Sequence, residues 1–282
     1  MAFALRLMAA QDIPAGMRLK ELAGWNQTES DWLRFLHFEP EGCFVAVQDG
    51  AVCGTVATLR YGGPFGWISM ILVDPASRNQ GIGTRLLDEG IAYLGKMGVE
   101  TCKLDATPMS HPLYANKGFV DEFQIERWEG ISRVRKGPGL PLISDSELSH
   151  VCAWDAPIFG ADRTRLLSAL WEEGPQYSAV AYAHDEIAGY ILGRAGSRAH
   201  YLGPWVVTAK SEIAERLLLE SLSRVCGQPV FVDVCLDSAH AREIVQSAGL
   251  RFQRKLTRMV RGPSRFPGKP SRICGIAGPE LG

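Results

Sequence analysis

Hydrophobic and polar positions along the first 130 residues alternate in segments that predict strands and helices in mixed order. In chain order the predicted elements are a strand from Phe3 to Met8, helices opening at Asp12 and covering Glu29 to Phe38, strands over Cys43 to Gln48, Val52 to Leu59 and Trp67 to Val73, a helix from about Gly81 to Met97, a strand from Glu100 to Ala106, a short helix from His111 to Lys117, and a strand from Phe119 to about Trp128. This order predicts an α+β fold, in which a mixed and mostly antiparallel sheet is flanked by helices.

The same order of signals returns in the second half of the chain, which indicates an internal repeat. Asp185-Glu186 separates two strand patterns as Asp49-Gly50 does, and a helix pattern from Ser211 to Val225 follows the strand Tyr201 to Val207. The run Gly137-Pro138-Gly139-Leu140-Pro141 reads as a linker. We therefore predict domains at 1–135 and 151–262, a linker at 136–150, and a tail at 263–282. The tail is rich in Pro, Gly and Arg, which predicts an extended or partly disordered segment.

Composition narrows the classes of partner. The chain has 282 residues and a formal net charge of −1, so we expect no nucleic-acid partner. No apolar run approaches the roughly 20 residues that span a bilayer, and the N-terminus lacks the pattern of a secretion signal. The seven cysteines form no C-x-x-C pair, and the histidines lack ligand spacing, so we predict a cytoplasmic protein with free thiols and no metal site.

A glycine-rich turn joins the strand Trp67 to Val73 to the helix that follows it. Gly81 and Gly83 let a ligand approach the backbone closely, and the first N–H groups of the helix lack partners inside the helix. Arg78 adds a permanent cation with forked donors. Such a turn favours phosphate. Its spacing matches neither the Walker loop, which needs Gly-Lys, nor the dinucleotide fingerprint, which needs a third glycine where Leu86 stands.

The turn does match Arg-x-x-Gly-x-Gly after Val-Asp-Pro, which resembles motif A of the GCN5-related N-acetyltransferases. A second segment is similar to motif B of that family: Leu104-Asp105-Ala106-Thr107-Pro108, then Leu113-Tyr114, then Gly118-Phe119. One departure is Ser110, where this branch of the family commonly has Gly. The resemblance implies two tandem domains of the acetyltransferase fold, with acetyl-CoA as co-substrate bound in the first.

The resemblance also implies roles for particular residues. Arg78 and the N–H groups of Asn79 through Thr84 would bind the pyrophosphate of coenzyme A, a backbone N–H near Val73 would polarise the thioester, and Tyr114 would protonate the leaving thiolate. The expected cofactor-binding residues are Ile71, Leu72, Val73, Arg78, Asn79, Gln80, Gly81, Ile82, Gly83 and Thr84. The early helical pair would cover the acceptor groove, with Trp25, Trp32, His37 and Phe38 as candidate walls.

The group that removes a proton from the amine stays open. Many relatives use a glutamate on the strand before the turn, and this strand has none. Asp105, His111, His37 and a water chain are the alternatives. The acceptor is equally open, because a small-molecule amine and a protein lysine both fit the chemistry.

The second copy lacks the glycine-rich turn. After Val207 the sequence reads Thr208-Ala209-Lys210-Ser211-Glu212, with no Gly-x-Gly and a glutamate that would repel phosphate. We therefore predict that only the first half binds the cofactor, as in tandem members of the family. Two alternatives to an acetyltransferase remain: a non-catalytic acyl-CoA-binding regulatory module, and a transferase that uses another acyl donor. Oligomeric state cannot be read from the sequence.

Overall fold

One mixed sheet carries the strands of both halves. The computed structural model describes residues 3–208 and 211–282. The strands are β1 (Ala4–Leu7), β2 (Cys43–Gln48), β3 (Ala51–Tyr61), β4 (Phe65–Val73), β5 (Cys102–Ala106), β6 (Val120–Ile131), β7 (Ala179–Ala183), β8 (Glu186–Arg194), β9 (His200–Val207), β10 (Pro229–Cys235), β11 (Arg251–Arg261) and β12 (Ile273–Gly275). The helices are α1 (Ile13–Leu22), α2 (Glu29–Phe38), α3 (Ile82–Lys96), α4 (His111–Ala115), α5 (Asp145–Phe159), α6 (Thr164–Glu173), α7 (Ser211–Arg224) and α8 (Ala241–Ser247).

The two halves exchange their last long strands. The order across the sheet is β1-β2-β3-β4-β5-β11-β6-β10-β12-β9-β8-β7. Strand β11 lies antiparallel between β5 and β6, and β6 also pairs with β10. The sequence places β6 in the first half and β11 in the second, so each half completes the sheet of the other.

The amphipathic helices pack where their apolar spacing predicts. On α3, Leu86, Leu87 and Leu94 are fully buried against the strands of the first half. On α7, Leu217, Leu218 and Leu222 do the same in the second half. None of the helices in the described part of the chain is long and apolar enough to cross a membrane.

The junction between the halves is more ordered than its composition indicates. Helix α5 already begins at Asp145, inside the predicted linker, because Ser144 and Glu147 form a capping box. Asp162 accepts a hydrogen bond from the Thr164 N–H at 2.8 Å at the start of α6. Arg163 donates to both carboxylate oxygens of Asp155 at 2.7 and 2.9 Å. These contacts fix the short segment between α5 and α6.

The prediction of an extended or partly disordered tail is wrong for residues 273–282. Residues 273–275 form β12, which lies between β9 and β10. Ile273, Cys274, Ile276 and Leu281 are buried in the two main cores. The short apolar run from Ile273 to Ala277 decides the outcome, and the flanking Pro, Gly and Arg residues obscured it in the composition.

Candidate functional site

Strands β4 and β5 are paired only at their first residues and then diverge. They pair in parallel only at Gly66–Cys102 and Trp67–Lys103. Further along, β4 carries a bulge at Met70, whose φ is +54°, and the Thr55 hydroxyl donates to the Met70 carbonyl at 2.7 Å. A bulge bends the strand and increases its twist. The edge of β4 that faces β5 is therefore left without a strand partner from Ile68 onward.

A turn suited to an anion follows directly at the end of β4. Asp74 accepts a hydrogen bond from the Ala76 N–H and is ion-paired with Arg18 at 2.5 Å. Asn79 and Gly81 take left-handed φ angles of +61° and +80°, which only residues such as these adopt readily. Gly81 precedes α3 and has no side chain to cap it. The first N–H groups of α3 are thus available to an incoming ligand.

The gap and the turn open into one cleft of about 840 Å³. All of the predicted cofactor-binding residues except Gln80 line it. Gln80 lies on the far side of the turn, where its side-chain oxygen accepts a hydrogen bond from the Gln48 amide at 3.1 Å. A contact from Gln80 to a ligand in this cleft would therefore come from its backbone and not from its side chain.

Tyr114 lies on α4 and lines the same cleft. Its ring packs beside that of Phe119, with centroids 6.2 Å apart. Burial raises the pKa of Tyr114 to about 12, and the nearby Ser110 hydroxyl partly offsets this rise. The phenol is therefore protonated at neutral pH, which is the state that a proton donor requires. Ser110 itself closes the turn by hydrogen bonds with Thr107.

The three residues considered as proton acceptors lie in different places. Asp105 lines the cleft, where burial raises the pKa of its carboxyl, and Arg258 donates to both of its oxygens at 2.8 Å. His111 instead contacts Asp121 at 2.7 Å. His37 stands in the last turn of α2, where Arg165 donates to its carbonyl. Of these three, only Asp105 lines the cleft.

The early helices contribute less of the cleft wall than expected. Trp25 lines the cleft beside Gln27. Trp32 is fully buried in the core, where its ring lies against Gly16, so its candidacy as a wall residue is wrong. Phe38 lies under the guanidinium of Arg165, 4.2 Å from its ring centroid, away from the cleft. His37 also lies away from the cleft.

Several cleft residues escaped the sequence analysis because they come from the exchanged strand and the tail. Arg127 on β6, Arg254 and Leu256 on β11, and Pro279 and Glu280 in the tail all line the cleft. Arg127 and Arg254 are register partners on adjacent strands, and Asp233 is opposite Arg127 on the next strand. No local motif marks these residues, because only the strand order brings them to the cleft.

Two family models match this chain. One, described as "Acetyltransferase (GNAT) family", matches residues 15–119. The other, described as "Acetyltransferase (GNAT) domain", matches residues 151–275. The chain is a tandem member of the GNAT family.

Similar proteins match this chain over nearly its whole length. Holothin acyltransferase from Pseudoalteromonas sp. (strain SANK 73390) is 25% identical over 262 residues, which are 92% of this chain and 87% of that protein. A putative acetyltransferase from Pyrococcus horikoshii has a TM-score of 0.83 at 22% identity and covers 99% of this chain and 96% of its own. A GCN5-related N-acetyltransferase from Sphaerobacter thermophilus has a TM-score of 0.69 at 19% identity, with 92% and 95% coverage. The two solved structures establish the fold.

The second GNAT half differs from the first at the corresponding gap. Strands β9 and β10 pair in parallel only at His200–Val230 and Tyr201–Phe231, as β4 and β5 do at their start. Beyond that point, β12 fills the space between them and pairs with both. The predicted degenerate turn includes Ala209 and Lys210, which lie outside the described residues. The slot that stays open in the first half is thus occupied by the chain itself in the second.

Proposed function

We propose that the chain transfers an acetyl group from acetyl-CoA to a primary amine, with the cofactor in the first half. The observation that carries this proposal is the open gap between β4 and β5, which leads from the glycine-rich turn to Tyr114. A pantetheine arm fits such a gap as an additional strand would, since the facing edge of β4 has unpaired backbone groups. The filled gap between β9 and β10 supports assigning the cofactor to the first half alone.

The pyrophosphate is assigned to the turn. The backbone N–H groups from Asn79 to Thr84 lie at the N-terminal, positive end of α3, and Arg78 supplies a full charge. In the present arrangement the Arg78 Nε donates to the Val73 carbonyl at 3.3 Å, so its side chain already lies over the end of β4. We expect the guanidinium to turn toward phosphate when the cofactor is bound.

The acyl transfer itself requires mainly positioning, because a thioester is already activated. A backbone N–H near Val73, on the unpaired edge of β4, would hold the carbonyl oxygen as negative charge develops on it. The amine nitrogen attacks the carbonyl carbon, the C–S bond breaks, and the sulfur takes the proton of the Tyr114 phenol. Solvent then reprotonates Tyr114. The amine loses its proton to Asp105 or to a water chain.

A titration with coenzyme A and a thiol-release assay with acetyl-CoA test this function. Arg78→Ala should weaken coenzyme A binding by roughly 10- to 100-fold, since it removes charge-assisted hydrogen bonds. Its affinity for pantetheine, which has no pyrophosphate, should not change. Arg85→Ala is the matched control, because Arg85 is exposed and lies outside the cleft. A chain that does not bind coenzyme A would refute the proposal, and binding without thiol release to any amine would indicate a regulatory module.

A further inference from the structure

The cleft contains an arginine with a buried N–H that has no hydrogen-bond partner in the part of the chain that the structure describes. Arg254 on β11 lines the cleft beside Arg127. Its Nε–H is buried and finds no acceptor anywhere in residues 3–208 or 211–282. A guanidinium has five donors in a fixed fork and stays charged at neutral pH, so a buried N–H without an acceptor on such a group is costly.

The other charged groups near β11 in this cleft are already paired. Arg127 donates to both oxygens of Asp233 at 2.7 and 2.6 Å. The Glu280 carboxylate accepts from Arg194 and, at 2.9 Å, from Gln27. Asp105 is held by Arg258. In the part of the chain that the structure describes, Arg254 is the cleft arginine near β11 that lacks such a partner.

The surroundings of Arg254 favour an added negative charge. Burial, together with the neighbouring Arg127 and Arg198, lowers the pKa of Arg254 to about 10, although Asp233 and Glu280 act in the opposite sense. The two nearby carboxylates therefore do not compensate for burial and for the adjacent cations. An anion bound from outside the chain would compensate for both.

The position of Arg254 separates it from the expected phosphate site. Arg78 follows β4, whereas Arg254 lies on β11, with β5 between those two strands. In the β5–β11 pair, Ala106 at the end of β5 is opposite Thr257, so Arg254 lies three residues beyond the end of β5. Trp25, Gln27, Pro279 and Glu280 also line the cleft, and they belong to neither predicted cofactor motif.

From this arrangement we propose that the acceptor amine carries a carboxylate, and that the Arg254 guanidinium binds it. The inference rests on the proposed acetyl transfer, and it names the class of acceptor. A single unpaired guanidinium matches one monoanionic carboxylate, with the fork geometry that favours bidentate contact. Arg254 is a specificity-determining residue here, because it holds the acceptor and takes no part in the bonds that form or break.

The test uses straight-chain ω-amino acids from glycine to 6-aminohexanoate, each against its own neutral amide. Thiol release from acetyl-CoA gives kcat and KM for every pair. At the chain length that spans the cleft, the acid should exceed the amide in kcat/KM by roughly 10- to 100-fold. Arg254→Gln should remove this preference, mainly through KM for the acid, and should leave the amide within about twofold. Arg254→Lys should recover part of the preference because it restores a charge.

Arg251→Gln is the matched control, because Arg251 is an exposed arginine on the same strand, and it should keep the preference. The proposal is overturned if amides and acids have equal kcat/KM, or if Arg254→Gln lowers kcat/KM for both equally. It is also overturned if O-phosphoethanolamine exceeds its neutral counterpart ethanolamine by a larger factor than the acids exceed their amides. It is also overturned if coenzyme A binds normally and no acid is acetylated. A chain that does not bind coenzyme A contradicts the acetyl transfer instead, so the two failures are distinguishable. Coenzyme A affinity also reports whether each variant is folded.

Discussion

At the scale of single residues, Tyr114 shows how burial prepares a group for proton transfer. Its phenol lies in a cleft wall beside Phe119, and burial raises its pKa to about 12. A higher pKa keeps the proton on the phenol, yet it also makes donation to an ordinary thiolate, near 8.5, unfavourable. Transfer is therefore favoured only where the thiolate is poorly solvated or moves in concert with the proton, and a buried cleft provides the first condition.

Replacing Tyr114 by Phe tests this role. The ring and its packing against Phe119 remain, and only the proton donor is lost. We expect kcat to fall by roughly 100-fold, the typical contribution of a positioned acid, and coenzyme A affinity to stay within about twofold. Thiol release and calorimetric titration measure the two quantities. Tyr182→Phe is the control, since Tyr182 is exposed and bonds Glu147. An unchanged kcat in Tyr114→Phe would assign the proton to another donor.

Residues fixed by local backbone chemistry could be predicted, and residues brought together by the sheet could not. Asp49 and Gly50 take φ angles of +50° and +78°, as their dipeptide at a hairpin predicts. Gly81 likewise adopts the left-handed conformation that its place before α3 requires. Arg254 reaches the cleft only because β11 inserts between β5 and β6, and no local pattern encodes that insertion.

At the scale of elements, β12 replaces in the second half what the cofactor would supply in the first. Its residues satisfy the facing edges of β9 and β10, which would otherwise expose unpaired backbone groups in a buried place. A strand of three residues is enough to pair with both edges. Because it is so short and is flanked by Pro and Gly residues, the sequence pattern did not predict it. In this chain, therefore, a strand fills the gap of the second half, and the corresponding gap of the first half is open.

Truncating a β12 side chain should therefore destabilise the fold, because β12 packs into a core shared by both halves. Ile273 is 5% exposed and packs into a main core, so Ile273→Ala should lower the free energy of unfolding by about 2–4 kcal/mol through lost burial and a residual cavity. Urea unfolding monitored by tryptophan fluorescence gives the value. Leu142→Ala, at a side chain 49% exposed, should cost far less. Equal effects of the two variants would mean that β12 does not pack as described.

At the scale of the whole molecule, buried ion pairs join elements that are distant in sequence. Asp31 on α2 contacts Arg34 at 2.8 Å and Arg194 of β8 at 3.2 Å. Burial alone would raise the pKa of Asp31, but these two guanidiniums hold it below its usual range. In the same way, Arg127 outweighs burial and lowers the pKa of Asp233. A carboxyl with a lowered folded-state pKa stabilises the fold above its unfolded pKa, and this contribution is lost as pH falls through the folded pKa.

Stability should consequently decline as pH falls below about 4, the ordinary pKa of Asp in an unfolded chain. We expect the free energy of unfolding in urea to decrease between pH 4 and pH 2. Asp233→Asn should be less stable at pH 7, because it leaves the buried Arg127 unpaired, and its loss of stability on acidification should be smaller by the share of this one carboxyl. Asp88→Asn, at a side chain that is 40% exposed and paired with Lys117 at the surface, should keep the wild-type slope. Identical slopes for all three proteins would contradict the lowered pKa of Asp233.

The exchange of β6 and β11 makes the two halves one cooperative unit. A fragment of residues 1–135 would lack β10 and β11, so it would expose one edge of β5 and both edges of the long strand β6. It would also lack Arg258, the partner of the buried Asp105. We expect this fragment alone to be unfolded or aggregated by circular dichroism and unable to bind coenzyme A, although it contains every predicted cofactor residue.

The full chain should unfold in a single transition that fluorescence and circular dichroism report at the same urea concentration. If the fragment folds and binds coenzyme A as tightly as the full chain, the exchanged strand is not needed for the site. The first half would then be an independent domain, and Arg254 would have to act on the acceptor across a boundary that can open.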